Sequence, residues 1–119
     1  MKILVIDDDN DLLEMILRRL KKKNIEAYGA KNLSEAREHF LRNSPFHCIF
    51  CDLFLENGEN GLNYYENEIQ NKFDGKFILV TGDDSADQRI EKYTLSEKKF
   101  RCLQKPFSIE VALAFCEEL

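Results

Sequence analysis

The sequence predicts an α/β fold, a (βα)5 chain wound into a three-layer sandwich with one parallel five-stranded sheet between two layers of helices. Three observations predict it. Five short apolar runs alternate with segments of helical periodicity: Lys2 to Ile6, Ile25 to Gly29, His47 to Asp52, Lys76 to Thr81 and Phe100 to Gln104. Runs such as Ile-Leu-Val-Ile (3–6) and Phe-Ile-Leu-Val (77–80) lack polar alternation, which suits strands covered on both faces by crossover helices. The 119 residues, 44% hydrophobic and 33% charged, can fill one core and bury roughly two thirds of the unfolded surface. That composition excludes intrinsic disorder, a collagen-like repeat and a coiled-coil rod.

The elements follow in order. After the first strand, Leu12, Leu13, Ile16, Leu17 and Leu20 recur at helical spacing. Arg18, Arg19 and Lys21 to Lys23 fill the polar side and the last turn, where cations meet the negative end of the helix dipole. After the second strand, Asn32 can cap a second helix while Glu35, three residues on, reaches back as in a capping box. Pro45 stops that helix. A third helix is expected after Gly61 and a fourth after Ser85. The last runs from about Ser108 towards Leu119, with Val111, Leu113, Ala114 and Phe115 as its buried stripe. Right-handed crossovers then give a doubly wound sheet of flavodoxin-like strand order 2-1-3-4-5, in which ligands sit beyond the carboxyl ends of the strands. Residues 1–119 read as a single domain without internal repeat, linker or effector domain.

Charge and cysteine usage bound the partners. Seventeen Lys and Arg against 22 Asp and Glu leave a net charge of −5. The average field therefore repels phosphate backbones and anionic lipid, which disfavours direct binding of nucleic acid or a membrane surface. The longest apolar run near the N-terminus, Ile3 to Ile6, falls short of the roughly 7 to 15 residues of a secretory core, and no stretch approaches a membrane span. A cytoplasmic location is the expectation, with Cys48, Cys51, Cys102 and Cys116 reduced and acting as small hydrophobes.

The strand ends carry the chemistry. Asp7, Asp8 and Asp9 follow the first strand and Asp52 ends the third; Thr81 and Gly82 lie at the end of the fourth, and Lys105 and Pro106 follow the fifth. Carboxylates gathered in a partly closed site repel one another, so they take up protons or bind a cation. An oxygen-only ligand set that leaves positions for water favours Mg²⁺. A lysine and a hydroxyl beside a metal and a carboxylate make a receptacle for a phosphoryl group, with charge and hydrogen bonds aimed at its oxygens.

With these residues in place the whole chain resembles the response regulator receiver domains of two-component phosphorelays. The resemblance rests on the acidic pair in "VIDDDN", the aspartate in "IFCDLFL", the hydroxyl and small residue in "ILVTGD", and the lysine and proline in "LQKPFS". Each motif alone is weak. Their order, and separations of 44 residues from Asp8 to Asp52, 29 from Asp52 to Thr81 and 24 from Thr81 to Lys105, make the set specific.

The resemblance implies that Asp52 is the phosphoacceptor, attacking a phosphohistidine on a sensor histidine kinase or histidine phosphotransfer protein to give an acyl phosphate. It implies Mg²⁺ held directly by Asp8, Asp52 and the backbone carbonyl of Phe54, with Asp7 binding through water. Lys105 would pair with Asp52 and then with the phosphoryl oxygens, the Thr81 hydroxyl would move to hydrogen-bond them, and Gly82 would leave access. Roughly two added negative charges would draw Lys105 and Thr81 inwards and repack the face of the fourth helix, fifth strand and fifth helix for a downstream protein target. Such a domain catalyses only its own phosphoryl transfer and dephosphorylation.

The chain departs from the family in places. Cys102 stands three before the lysine, where an aromatic switch residue is usual; Phe100, two residues earlier on the same strand face, is a substitute candidate, the other reading being that no aromatic switch exists. Glu56 replaces a common proline, and Gly61 comes nine residues after Asp52, one later than is usual. The fourth-helix region is longer than usual and lacks the Gly-Ala that commonly precedes the fifth strand. Phe54 and Asp83 flank the phosphoryl position and would tune attack by water.

Several of these residues admit other readings. Asp9 and Asp11 read as negative charges at a helix N-terminus. The Asp7, Asp9, Asp11 spacing imitates an EF-hand loop, but Leu12 and Arg18 occupy the required Gly and Glu positions. Cys48 and Cys51 spell C-x-x-C yet sit three apart on a strand and so point to opposite faces, unlike a redox pair. His47 reads as a residue at the start of a strand, His39 as a helix-surface residue, and Arg18 to Lys23 as a solvated helix end or a docking patch for an acidic partner. Two rival functions stand beside the receiver. One is a haloacid dehalogenase-like phosphohydrolase with Asp7 as nucleophile, suggested by Asp7-x-Asp9, Thr81 and Gly82-Asp83-x-x-x-Asp87. There the threonine and Gly-Asp motifs collapse onto one strand, Asp11 lacks the usual hydroxyl or valine, and the lysine comes last. The other is a receiver-shaped binding module that works without phosphate.

Overall fold

The computed structural model describes residues 1–82 and 87–118. Its elements are β1 (Lys2–Ile6), α1 (Asn10–Lys22), β2 (Glu26–Ala30), α2 (Leu33–Asn43), β3 (Cys48–Asp52), α3 (Gly61–Tyr64), β4 (Lys76–Thr81), α4 (Gln88–Ser96), β5 (Phe100–Gln104) and α5 (Ile109–Glu117). The strands form one parallel sheet in the order β2-β1-β3-β4-β5. The five-stranded α/β architecture read from the sequence is therefore present with its predicted strand order.

Alternate side chains of the central strands feed two cores, as the pleat requires. Ile3, Val5, Cys48, Phe50, Ile78 and Val80 pack with Leu13, Ile16 and Leu20 of α1 and Ile109, Ala112, Leu113 and Phe115 of α5. Leu4, Ile6, Ile49, Cys51, Phe77, Leu79 and Phe100 pack on the opposite face with residues of α2, α3 and α4. Cys48 and Cys51 thus belong to different cores, as their spacing implied.

Local chemistry sets the helix ends. The Asp9 side chain accepts from the backbone N–H groups of Asp11 and Leu12, and Asn32 accepts from Glu35. The returning bond from Glu35 goes to the Lys31 N–H at 2.8 Å, one residue before the cap. Lysines at strand starts satisfy carbonyls at two helix C-termini, where positive charge is favoured. Lys2 Nζ donates to Asn43 O at 2.6 Å, and Lys76 Nζ to Phe115 O and Glu118 O at 2.7 Å each.

Several expectations need correction. The second strand begins one residue late, at Glu26, because the Ile25 N–H donates to Leu20 O and closes α1 instead of joining the sheet. The third begins at Cys48; His47 sits before it, its Nδ1 accepting from the Lys2 N–H at 2.9 Å. The third helix is α-helical only to Tyr64 and continues as a π-turn over Tyr65–Ile69, where Gln70 N–H reaches Tyr65 O. In α5 the buried stripe is Ile109, Ala112, Leu113 and Phe115, whereas Val111 is 49% exposed and Ala114 is exposed. Ser108 caps the Val111 N–H, which places the first turn so that Ile109 faces the sheet. His39 is half-buried and not on the helix surface. The Asn43 amide donates to its Nδ1, so its Nε2–H donates to Gly29 O at 3.0 Å and pins α2 to β2.

Candidate functional site

The site lies at the carboxyl edge of the sheet, in the crevice where β1 and β3 are neighbours and their connections run to opposite faces. Asp7 immediately follows β1, and its backbone N–H donates to Ala30 O of β2. The Asp9 N–H donates to Asp7 Oδ1 at 2.9 Å, fixing that carboxylate before α1 begins. Asp52 is the last residue of β3, in register with Val80 of β4, and the following Leu53 N–H donates to Val80 O. Thr81 ends β4 in register with Gln104 of β5. The Lys105 N–H donates to Thr81 O at 2.7 Å, so lysine and hydroxyl sit on tied strand ends.

These residues converge. Asp7, Asp8 and Asp52 each offer an oxygen, all within 4.8 Å of one another. Lys105 Nζ lies 3.1 Å from Asp52 Oδ2 and 3.2 Å from Asp7 Oδ2. Asp7, Asp52 and Thr81 are buried polar residues, 4%, 8% and 5% exposed, while Asp8 is half-buried. Burial pushes the Asp52 carboxyl above its ordinary value; Lys105 opposes this and the Asp7 charge adds to it. Burial works against the Lys105 charge, but the Asp52 and Asp7 carboxylates outweigh it and hold the ammonium above the usual lysine value. Three carboxylates facing one ammonium leave a local excess of negative charge. Hard oxygen donors with that excess fit a small divalent cation such as Mg²⁺.

The remaining sequence candidates are placed as follows. Among the described residues no atom lies within 4 Å of where a Cβ on Gly82 would stand. Phe54 is 67% exposed, its backbone bridged to Asn60 across the loop after β3. Phe100 is 2% exposed and enclosed by Tyr65, Phe77 and Tyr93, stacked on Phe77 at 13°. Cys102 is half-buried against the same core. Asp83 and Ser85 lie outside the described residues. Asp87 of the hydrolase-like motif caps α4 instead, accepting from the Arg89 N–H and pairing with its guanidinium.

Two features of the site's surroundings escape sequence reading. Arg89 bridges Asp87 to Asn63 and Glu66, and the Tyr93 hydroxyl donates to Glu66, so α4 is fastened to α3 by a polar cluster. Gly61 packs directly against the Asp52 carbonyl. The Arg89 cluster joins residues more than 20 positions apart through ordinary surface residue types; for Gly61, the signals in the sequence are a glycine at a loop-to-helix junction and its spacing of nine residues from Asp52, neither of which shows the contact.

Comparison with known proteins agrees with this arrangement. The family model "Response regulator receiver domain" matches residues 3–116. The response regulator protein PilR of Pseudomonas aeruginosa is 29% identical over 108 residues; the match covers 91% of this chain but only 23% of PilR. Among solved structures, a two-component response regulator from Clostridium difficile superposes with a TM-score of 0.81 at 28% identity, covering 96% of this chain and 90% of that one. The non-phosphorylated HemR receiver domain from Leptospira biflexa gives 0.76 at 28% identity, covering 98% and 90%. With nearly its whole length matched and its strand-end residues gathered at one edge, the chain belongs to the response regulator receiver domain family.

Proposed function

We propose that this chain accepts a phosphoryl group on Asp52 from the phosphohistidine of a sensor histidine kinase or histidine phosphotransfer protein, and in that state binds a downstream protein target. The observation that carries the reading is Lys105 Nζ at 3.1 Å from Asp52 Oδ2 within the Asp7, Asp8, Asp52 cluster. An Asp52 oxygen attacks phosphorus in line with the P–N bond. That bond breaks with its electron pair on the imidazole nitrogen, and a mixed acyl phosphate results. Lys105, already between two carboxylates, passes to the phosphoryl oxygens, and the Thr81 hydroxyl donates to another of them. The open space at Gly82 admits the donor. Later attack by water on phosphorus returns the Asp52 carboxylate and inorganic phosphate, with Phe54 flanking the path. Asp7, Asp8, Asp52 and the Phe54 carbonyl would hold Mg²⁺, which when bound supplies positive charge to the phosphoryl oxygens and lets neighbouring carboxylates stay ionised together.

The switch follows from the tied strand ends. A phosphoryl group adds roughly two negative charges at a buried position. Thr81 and Lys105 respond, and because Lys105 N–H is bonded to Thr81 O, β5 moves with β4 and repacks the α4-β5-α5 face. Phe100 is a core residue four positions from Gln104, the partner of Thr81, and its aromatic enclosure supports a switch that works without an aromatic on β5. Cys102, at the usual switch position, is half-buried, and burial pushes its thiol up. Residues 1–119 act as one domain in the cytoplasm, with the exposed Arg18, Arg19 and Lys21 to Lys23 forming a solvated helix end. Family membership and the capping role of Asp87 count against the dehalogenase-like reading with Asp7 as nucleophile.

Beryllofluoride, which mimics a phosphoryl group on a carboxylate, tests the reading. With Mg²⁺ it should raise the thermal midpoint of the wild-type chain and leave Asp52→Asn unchanged. No shift in the wild type, with the fold intact, would promote the phosphate-independent binding module.

A further inference from the structure

Gly61 opens α3, and its N–H donates to Leu53 O at 2.8 Å, drawing the first helical turn against the end of β3. A Cβ on Gly61 would lie 2.3 Å from the Asp52 carbonyl oxygen, 3.2 Å from its carbonyl carbon and 3.0 Å from Cys51 Sγ. A carbon at the first distance is excluded by overlap, and the obstacle is backbone, so no side-chain rotation relieves it. Cys51 Sγ donates to the same carbonyl at 3.4 Å, and the Leu53 N–H on the other side of that peptide is held by Val80 O. The peptide that follows Asp52 is therefore held at its carbonyl by Cys51 and Gly61 and at its N–H by Val80.

The loop before Gly61 turns at its exposed tip, where Asn57 (φ 62°) and Gly58 (φ 74°) both take the left-handed conformation. Leu55 N–H then bonds Glu59 O, Phe54 bridges Asn60, and Asn60 Oδ1 caps the N–H groups of Leu62 and Asn63 at 2.8 and 3.0 Å.

We propose that Gly61 is a positioning residue for phosphoryl transfer: its missing side chain sets the plane of the Asp52 peptide, and through it the angle at which the Asp52 carboxylate meets Lys105 and the incoming phosphorus. The inference rests on Asp52 being the phosphoacceptor. A methyl group at residue 61 forces β3 and α3 apart at the nucleophile itself, and a misplacement of about 1 Å slows a positioned reaction by up to about 100-fold. Gly58 provides the control. Its positive φ makes alanine there a strained, destabilising change, but no atom lies within 4 Å of its Cβ position.

The experiment compares Gly61→Ala and Gly58→Ala by thermal midpoint, by the rate of phosphoaspartate formation from acetyl phosphate at saturating Mg²⁺, and by the ¹³C resonance of the Asp52 carboxyl. Gly61→Ala is expected to react about 10- to 100-fold more slowly and to shift that resonance. Gly58→Ala is expected to lose stability while reacting within about twofold of wild type, its resonance unmoved. If Gly61→Ala does not fold, Asn60→Ala, which loosens the same helix start, is expected to slow the reaction roughly threefold or more. A folded Gly61→Ala that reacts like wild type, a Gly58→Ala slowed equally, or an Asn60→Ala with no effect where Gly61→Ala cannot be read overturns the inference alone. A wild-type chain that forms no phosphoaspartate overturns the functional reading and this inference with it.

Discussion

Lys105 Nζ lies 3.1 Å from Asp52 Oδ2, and the same ammonium is 3.2 Å from Asp7 Oδ2. One cation thus compensates two buried carboxylates. Removing it leaves both charges without their partner, and unpaired buried charges are strongly unfavourable. Lys105→Met is expected to lower the unfolding free energy by about 1 to 3 kcal/mol, measured by urea titration in chelator, and to abolish the beryllofluoride response.

Asp52 itself is held against its solvation preference, since burial and the Asp7 charge push its carboxyl up. Asp52→Asn should therefore stabilise the chain by about 1 kcal/mol in chelator, the usual trade of stability for a functional charge. Adding Mg²⁺ should narrow or reverse that gap, because a ligand that binds the native wild type stabilises it by mass action. A gap independent of Mg²⁺ would contradict the cation site.

The fastening of α4 to α3 gives a pH dependence. Hydrogen bonding from Tyr93, together with Arg89, holds the Glu66 carboxyl below its ordinary value of 4.5, and Arg89 likewise lowers Asp87 from 3.8. For groups depressed in the folded state, stability is present above the unfolded values and lost as pH falls through the folded ones. The difference in stability between wild type and Glu66→Gln should therefore be constant near neutrality and shrink below about pH 4.5. At the alkaline end the Glu66 bond pushes Tyr93 up to about 12. Its contribution is full below the ordinary tyrosine value of 10.0 and lost as pH rises through the folded value, a loss Tyr93→Phe should not show.

Phe100 fills the centre of an aromatic cluster with Tyr65, Phe77 and Tyr93. Phe100→Ala should cost about 3 to 5 kcal/mol through the cavity it leaves. Phe100→Leu, which keeps most of the volume, should stay folded and still respond to beryllofluoride in the α4-β5-α5 face, read by amide exchange. Loss of that response in a stable Phe100→Leu would restore Phe100 as the switch.

Contiguous apolar runs made the strands legible, because a strand buried on both faces has no polar alternation to confuse. Asp7, Asp8, Asp52, Thr81 and Lys105 were legible because a parallel α/β sheet presents strand ends on one edge. The buried stripe of α5 excludes Val111 and Ala114, contrary to expectation, because apolar residues occur on every side of that helix and periodicity alone does not choose a face. Ile25 reads as part of β2 by its hydrophobicity, although the peptide hydrogen bond to Leu20 claims it for the end of α1. The Gly61 contact and the Arg89 cluster are tertiary facts, made by residues whose types are common in loops and on helix surfaces.

The most direct measurement locates the phosphoryl group. The chain is treated with acetyl phosphate and Mg²⁺, reduced with borohydride to convert the aspartyl phosphate to homoserine, and mapped residue by residue by mass spectrometry. Conversion at residue 52, absent in chelator and in Lys105→Met, is the predicted result. Conversion at Asp7, or none anywhere in a folded chain, would contradict the account.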